Sequence, residues 1–170
     1  PERLPVERQM SLVRSDRSLS FIEHAHIAAQ GQCRHHEFRR IGRTLSAPDA
    51  SASAHSKLCG STVSIDLKMA NGKVSDYAQT VKACLLGQAA AAVMAREIVG
   101  SRPEELRRVA KEMCAMLKEN GAPPGGRWAD LGALEPVRDY KARHASTMLT
   151  FDAVVDAIGQ IEKKRQEQAA

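Results

Sequence analysis

Two of the four cysteines stand where their thiols could bind a metal ion or accept sulfur. Cys59 lies just before a predicted β-strand, and Cys84 lies just after the next one. Thiolates are natural ligands of zinc and of iron–sulfur clusters, and they are the nucleophiles of sulfur chemistry. The alternative is that both are small buried thiols without a ligand. With Cys33 and Cys114, they form a set typical of free thiols or metal ligands rather than of disulfides in a cytosolic chain.

A predicted β-hairpin connects the two cysteines. Residues 62–69 alternate between apolar and polar side chains, which indicates a half-buried strand. The Asn-Gly pair at 71–72 is the strongest short signal of a hairpin turn, and residues 74–83 form the predicted return strand. A two-residue turn places the start of one strand beside the end of the other, so Cys59 and Cys84 are expected to lie close together. Cys84 also opens a predicted helix, whose N-terminal dipole favours a thiolate.

The rest of the chain predicts helices. Residues 85–99 are rich in Ala and end at Gly100, which is typical of a helix stop. Residues 101–104 (SRPE) match a capping box with Pro in the first turn of a second helix, and Cys114 lies beside its apolar face, where a core thiol is expected. The core stripe of a last helix has helical spacing and consists of His144, Met148, Phe151, Val155 and Ile158. The fold class is therefore α+β, with a small antiparallel sheet (the hairpin plus an edge strand) packed against several α-helices.

Composition and charge exclude several classes of protein. The chain has 170 residues, of which 43% are hydrophobic, enough for the core of one domain. Its longest apolar run has seven residues, whereas a membrane span needs roughly 20, so no membrane association is expected. With no secretory signal, the expected location is cytoplasmic. The net charge is +5, +3 of it in residues 1–43, and 4% of residues are aromatic. A nucleic-acid partner is therefore not expected.

Three regions differ in composition. Residues 1–40 are rich in Arg and His but have no sustained apolar period, which is typical of a disordered or poorly packed segment. A metal-binding tract and a stretch outside the native reading frame are the alternatives for this region. Residues 41–160 form the predicted domain, and residues 161–170 form a charged tail. The histidines of the first region are His24, His26, His35 and His36.

Several motifs around the cysteines occur in a characteristic order. They are the Cys59-Gly pair, the strand–Asn-Gly–strand unit and the segment KACLLGQA at 82–89, which leads into the Ala-rich helix. Residues 134–140 (LEPVRDY) and 143–149 (RHASTML) follow. In this order and spacing, about residues 41–160 resemble the NifU-like, or IscU-type, family of iron–sulfur cluster assembly scaffolds. The resemblance implies an α+β fold of the SufE/NifU-like kind and a role that is not enzymatic.

The resemblance also implies a function. A scaffold of this family receives sulfur from a cysteine desulfurase, assembles a [2Fe–2S] cluster with iron, and passes the cluster to recipient apo-proteins. Several relatives hold Zn²⁺ at the same site. Three cysteines from separate segments form that site, and the resemblance assigns Cys59 and Cys84 to two of them. Whether the chain forms a homodimer that supplies missing ligands is left open.

This chain departs from the family pattern at two positions. Where family members commonly have Asp two residues after the first cysteine, this chain has Ser61. The third cysteine is matched by Ser146, whose hydroxyl is a much poorer ligand for iron or zinc than a thiolate. His144 is the nearest replacement, but residues two apart on a helix point roughly 200° apart, so only one of the two is expected to face the cysteines. His144 also fits the core stripe, and Ser146 or Thr147 could instead cap a helix.

Three functions are compatible with this sequence. The first is a divergent scaffold whose metal ligands are Cys59, Cys84 and either His144 or Ser146. The second is a zinc-bound sulfur acceptor that accelerates a desulfurase and carries persulfide on one cysteine. The third is a degenerate adaptor that keeps the fold but has lost the metal site. No Ser-His-Asp arrangement, phosphate-binding loop or paired carboxylate supports a hydrolase or a nucleotide enzyme.

Overall fold

Three antiparallel strands form one sheet in the computed structural model, which describes residues 42–169. The strands occur in the order β1-β2-β3, with β2 in the centre. Their bounds are Ala50–His55 for β1, Thr62–Ala70 for β2 and Lys73–Lys82 for β3.

Helical elements follow the sheet and pack against it. Among the described residues they are α1 (Leu85–Glu97), α2 (Pro103–Lys118), a 3₁₀ segment (Gly126–Asp139) and α3 (Lys141–Ala169). Helix α3 packs on β1 and β2, and α1 packs between β3 and α3. The predicted α+β class, a small antiparallel sheet with several helices, is confirmed.

The predicted hairpin is also confirmed. Asn71 and Gly72 have φ values of 53° and 73°, and left-handed conformations at both turn positions match the twist of the flanking strands. Thr62 lies opposite Lys82, so the chain enters β2 and leaves β3 at the same end of the hairpin. This register brings the segments that carry Cys59 and Cys84 together, as the sequence predicts.

One face of the sheet carries the core. Val63, Ile65 and Leu67 alternate along β2 and are almost fully buried. Burial of each such aliphatic side chain contributes about 1.5–3 kcal/mol to folding. The opposite face is polar, and Asp66 accepts a hydrogen bond there from Ser51 of β1 at 2.6 Å. Within residues 42–169, the helices therefore pack against this core face of the sheet.

A buried polar contact positions α1 over β3. The Gln79 side chain is buried; its Nε2 donates to the carbonyl oxygen of Ala91 at 2.9 Å, and its Oε1 accepts from the Tyr77 hydroxyl at 2.8 Å. A buried amide that loses its partners costs about 1–3 kcal/mol, so these bonds favour one relative position of strand and helix. Cys84 lies in the connection between β3 and α1, so the hydrogen bonds of Gln79 also restrict the position of Cys84.

The turn between α1 and α2 differs in one detail from the prediction. Gly100, with φ of 86°, ends the first helical region, and Pro103 is the first residue of α2, as expected. The predicted capping box is wrong, because the N-cap is Arg102 and makes no side-chain cap bond. The hydroxyl of Ser101 donates instead to the carbonyl oxygen of Glu97, at 3.3 Å. The side chain of Ser101 therefore bonds to a backbone carbonyl at the end of α1, and not to a backbone N–H at the start of α2.

Helix α3 extends through the region predicted as a charged tail. It ends at Ala169, and Ile161 is buried. Glu162 accepts two hydrogen bonds from the Arg107 guanidinium of α2, at 2.8 and 2.6 Å. The predicted core stripe of this helix is confirmed. Val155 is partly buried, and the other four members are buried: His144, Met148, Phe151 and Ile158.

The first region of the sequence lies outside the described residues. Cys33 and the four histidines predicted there as a possible metal tract belong to it, and the proposed boundary near residue 40 stays a prediction. Between residues 42 and 169, no helix combines the length and the apolar character needed to cross a membrane.

Candidate functional site

Cys59, Cys84 and Ser146 meet at one end of the hairpin. The Sγ of Cys84 lies 3.4 Å from the Oγ of Ser146, and the hydroxyl of Ser146 also interacts with the thiol of Cys59. The three residues come from the loop before β2, the start of α1 and the second turn of α3. Segments distant in sequence therefore converge on one small site.

A tight loop between β1 and β2 presents Cys59 to solvent. The backbone N–H of Ser56 donates to the carbonyl oxygen of Ser61 at 2.9 Å, and that of Gly60 donates to the carbonyl oxygen of Ser56, also at 2.9 Å. Gly60 has a φ of 68°, which favours glycine. The backbone closes the loop on itself, and Cys59 is exposed near its tip.

Ser61 connects the two cysteines. Its Oγ lies 3.0 Å from the Sγ of Cys59 and accepts a hydrogen bond from the backbone N–H of Cys84 at 3.4 Å. Its side chain is buried. In the sequence, Ser61 stands out only as a departure from the family pattern, whereas the structure shows that it contacts both site cysteines.

Gly87 allows α1 to approach α3 closely. A β-carbon at this position would lie 2.9 Å from the carbonyl oxygen of Ser146 and 2.9 Å from the Cβ of Ala83. The contact between Cys84 and Ser146 therefore depends on the absence of a side chain at 87. The available sequence signal is the glycine itself, because glycine inside a helix costs about 1 kcal/mol relative to alanine and usually has a packing reason.

Neighbouring hydroxyl groups lower the pKa of Cys59 from 9.0 to about 7. The largest contribution comes from Ser56, whose Oγ lies 3.4 Å from the sulfur, and the next from Ser61. The backbone of Ser61 acts in the same direction, and desolvation opposes it. Because donors to sulfur stabilise the thiolate, the thiolate of Cys59 is favoured at lower pH than that of an ordinary cysteine.

Replacing Ser61 by alanine is expected to make Cys59 less reactive near neutral pH. Loss of a hydroxyl that stabilises the thiolate raises the pKa of Cys59, so the ionised fraction falls. We expect alkylation of Cys59 by iodoacetamide to be roughly threefold slower in the variant than in the wild-type protein at about pH 7. Above about pH 9 the two rates should be equal, because Cys59 is then ionised in both proteins. Mass spectrometry of the modified peptide across this pH range measures both rates.

Ser53→Ala is the matched control for this experiment. The hydroxyl of Ser53 bonds to that of Ser64 at 2.7 Å on the exposed face of the sheet, so its removal should leave the pH profile unchanged. Equal profiles for Ser61→Ala and the wild-type protein would contradict a role of Ser61 in stabilising the thiolate.

His144 lies outside the site formed by Cys59, Cys84 and Ser146. Its Nε2 donates to the carbonyl oxygens of Val137 and Arg138, at 3.2 and 3.0 Å, and the ring is buried. Carbonyl oxygens only accept, so Nε2 carries a proton. The ring lines a separate cavity of about 900 Å³ between α2 and α3, to which neither site cysteine contributes. His144 and Ser146 are two residues apart on α3, so their side chains point in nearly opposite directions, as expected from helix geometry.

Ser146 and Thr147 lie inside α3 rather than at its N-cap. The helix begins at Lys141, and both hydroxyls donate to the carbonyl oxygen of Arg143, at 2.9 and 3.0 Å. The alternative that one of them caps the helix is therefore wrong. Donation to the preceding turn leaves the Ser146 oxygen able to accept a bond from the thiol of Cys84.

Cys114 and His55 make other contacts. Cys114 is half-buried, packs against the core and lines the same cavity as His144. His55 is exposed at the end of β1, with its Nδ1 3.2 Å from the hydroxyl oxygen of Thr62. All three cysteines between residues 42 and 169 are free thiols. This part of the chain contains no cluster of three or more His, Cys, Asp or Glu side chains that could hold a metal ion.

The site thus offers two thiols and one hydroxyl. Two thiolates suit a zinc or iron ion, or one edge of an iron–sulfur cluster. The residues fit such a group by the chemistry of their sulfur atoms, but within residues 42–169 they do not make the closed set of four strong ligands found in structural metal sites. An open site of this kind suits temporary binding.

Comparison with known proteins agrees with the fold. No family model matches the chain. The crystal structure of a nitrogen-fixing NifU-like protein (N-terminal) from Brucella abortus has 54% sequence identity and a TM-score of 0.74, and the match covers 86% of this chain and 99% of that one.

Two more distant proteins are also similar. The crystal structure of a putative iron–sulfur cluster assembly scaffold protein for the SUF system, from Fervidobacterium islandicum AW-1, has a TM-score of 0.62 at 18% identity, covering 67% of this chain and 83% of that one. At this identity the likeness concerns the fold alone. In sequence, the iron–sulfur cluster assembly scaffold protein IscU of Thermotoga maritima is 25% identical over 105 residues, which are 62% of this chain and 73% of that protein.

Proposed function

Because this chain belongs to the NifU-like, IscU-type family of scaffold proteins, which are not enzymes, we propose that it binds iron and assembles [2Fe–2S] clusters on Cys59 and Cys84. The observation that carries the proposal is the meeting of two thiols from separate segments, one of them exposed, beside the hydroxyl of Ser146. Exposure gives iron, sulfur and a recipient protein access to the site. Thiolates supply the bonds that iron requires.

The incomplete ligand set is compatible with delivery of the cluster. We propose that a cysteine desulfurase supplies the sulfur, that apo-proteins receive the cluster, and that this occurs in the cytoplasm. A cluster held by a complete set of four thiolates would leave slowly, whereas two thiolates and a weak oxygen donor allow exchange. Ser146 contacts Cys84 and is the proposed third contact, in preference to His144, whose Nε2 is bonded to two carbonyl oxygens.

Iron and acid-labile sulfide content tests this function directly. Protein purified without oxygen, or reconstituted with ferric ammonium citrate and lithium sulfide, is expected to hold both in near-equal amounts and to absorb visible light. Cys59→Ser and Cys84→Ser are each expected to lower bound iron and sulfide by on the order of tenfold, because each removes one of two strong ligands.

Cys114→Ser is the matched control for the two cysteine variants. It makes the same chemical change at a half-buried thiol outside the site, so its iron and sulfide should equal the wild-type values. Absence of iron and sulfide from the wild-type protein, or their retention in Cys59→Ser and Cys84→Ser, would contradict the proposed function.

The exposed thiolate of Cys59 favours a second candidate function, that of a sulfur acceptor. A thiol with a pKa of about 7 attacks the outer sulfur of a desulfurase persulfide readily, and the desulfurase thiolate then leaves. Zinc held by Cys84 and neighbouring donors would accompany this role. Incubation with desulfurase and cysteine would then add the mass of one sulfur atom without uptake of iron. Absence of both sulfur and metal would instead indicate an adaptor that keeps only the fold.

A further inference from the structure

The cavity beside His144 has no part in the proposed function. It lies between α2, the end of the 3₁₀ segment and α3, and its volume is about 900 Å³. This volume is near the upper end of the range found for sites that enclose small organic ligands. Neither Cys59 nor Cys84 lines the cavity. It is therefore a candidate site for a different ligand.

Charged side chains of both signs line the cavity. Lys118, Arg138 and Lys141 are the cations, and Asp139 and Asp152 are the acids. Both lysines and both acids are exposed. Within residues 42–169, none of these four side chains forms an ion pair within 4 Å. Since lysines attract carboxylates and acids attract ammonium groups, the mouth of the cavity suits a ligand that carries both charges.

Two nitrogen atoms at the cavity lack a hydrogen-bond partner among the described residues. The Nε of Arg138 is buried and has no acceptor, although its Nη2 donates to Glu135 at 2.6 Å. The buried ring of His144 donates from Nε2 to backbone carbonyl oxygens, which leaves Nδ1 of the neutral ring as an acceptor without a donor. Buried polar groups usually have partners, so these nitrogens favour a ligand that offers both an acceptor and a donor.

Uncharged side chains form the inner wall of the cavity. Leu117 and Met148 are buried, and Cys114 is half-buried. An apolar wall cannot replace the water around a charged group, so the charges of a ligand would stay near the mouth and its carbon chain would lie inside. A short carbon chain that carries several charged groups fits this arrangement.

We propose that the cavity binds an acidic α-amino acid, a molecule with two carboxylates and one ammonium on a short carbon chain. Lys118 and Lys141 bind the two carboxylates through charge-assisted hydrogen bonds. The two acids attract the ammonium, and Nδ1 of His144 accepts one of its hydrogen bonds. Binding involves neither a metal ion nor the two site cysteines, so it does not depend on the proposed scaffold function.

Calorimetric titration of the full chain with three matched probes is the first test. L-aspartate, L-malate and succinate share a four-carbon dicarboxylate skeleton and differ at one carbon, which carries an ammonium, a hydroxyl or hydrogen. For L-aspartate we expect a dissociation constant on the order of 0.1–1 mM. L-malate should bind roughly threefold more weakly, because its hydroxyl donates but carries no charge, and succinate on the order of tenfold more weakly.

The probes also define the results that would overturn the inference. L-glutamate, one carbon longer, is the fourth probe. Absence of binding by both amino acids would show that the cavity is not their site. Equal affinities for L-aspartate, L-malate and succinate would contradict recognition of the ammonium. The probes test the role of His144 without a substitution of this buried ring, which could unfold the protein.

Lys118→Gln and Lys141→Gln locate the carboxylates. Each variant removes one exposed cation and should weaken the binding of L-aspartate by on the order of tenfold. Lys73→Gln is the matched control, since Lys73 is exposed at the hairpin turn and does not line the cavity, and it should bind as the wild-type protein does. Unchanged affinity in both cavity variants, or equal weakening in all three, would overturn the inference.

Cys114 reports the place of binding in the wild-type protein. With L-aspartate at about ten times its dissociation constant, alkylation of Cys114 by iodoacetamide should slow by on the order of tenfold. The exposed thiol of Cys59 lies outside the cavity and should react at an unchanged rate. Mass spectrometry of the two peptides measures both rates. Protection of Cys59 without protection of Cys114 would contradict binding in this cavity.

Discussion

Under the proposed scaffold function, replacing Ser146 by cysteine is expected to slow the release of a bound cluster. The Oγ of Ser146 lies 3.4 Å from the sulfur of Cys84, and its hydroxyl interacts with the thiol of Cys59. A sulfur at the same position would bring three thiols together within one chain. Because a thiolate is a far stronger ligand for iron than a hydroxyl, we expect transfer to a chelator or an apo-protein to slow by on the order of tenfold or more.

The fold should tolerate this change. Ser146 is buried, cysteine is close to it in size, and free cysteine is among the most frequently buried residues. The loss of one hydrogen bond to the carbonyl oxygen of Arg143 costs about 0.5–1.5 kcal/mol.

The decay of visible absorbance after addition of a chelator measures retention. Ala145→Cys is the control: it adds a thiol one residue away, on the exposed side of α3 that lines the cavity with His144. It should release its cluster at the wild-type rate. Equal retention in Ser146→Cys and the wild-type protein would show that residue 146 does not contact bound iron.

Replacing Gly87 by alanine is expected to destabilise the protein and to separate the two helices that form the site. The new Cβ would lie 2.9 Å from the carbonyl oxygen of Ser146, and neither helix backbone can relieve this contact without moving. Overpacking of this kind costs about 1–3 kcal/mol, and the better helix propensity of alanine recovers about 1 kcal/mol at most.

Gly159→Ala provides a matched comparison in α3. A Cβ at this position meets no atom within 4 Å, so the same substitution should stabilise the protein by about 0.5–1 kcal/mol. Chemical denaturation of the two variants should therefore give free energies of unfolding on opposite sides of the wild-type value. Equal stabilisation by both substitutions would contradict the close approach of α1 and α3 at Gly87.

A second measurement connects Gly87 to the site. If Gly87→Ala moves Ser146 away from Cys84, the slower release expected for Ser146→Cys should largely disappear in the double variant, because residues that share a contact have non-additive effects. Additive effects on the release rate would show that Gly87→Ala does not move Ser146 away from Cys84.

Local sequence was sufficient for the secondary structure that carries the cysteines. The alternation in 62–69 and the Asn-Gly pair determine β2, the turn and β3, because both signals act over a few neighbouring residues. The approach of Cys59 to Cys84 follows from that hairpin alone. The core stripe of α3 was predicted for the same reason, since helical spacing is a local property.

The part of the site that depends on contacts between distant segments was decided by tertiary structure. Spacing showed that either His144 or Ser146 could face the cysteines, but not which, because the rotation of α3 about its axis is set by packing against the sheet and α1. The packing turns Ser146 to Cys84 and places the His144 ring against the carbonyl oxygens of residues 137 and 138. The close approach of α3 to Gly87 is likewise a tertiary contact that local sequence does not show.

The serines around Cys59 also separate what the sequence predicts from what the folded structure decides. The sequence determined that Ser61 stands where the family commonly has an acid, and that the site has two thiols instead of three. Only the folded loop brings the hydroxyls of Ser56 and Ser61 within 3.4 and 3.0 Å of the sulfur and so lowers the pKa of Cys59. Residue types and order are therefore set by the sequence. Distances of a few ångströms, on which thiolate chemistry depends, are set by the folded backbone, within the loop around Cys59 and between α1 and α3 at Ser146.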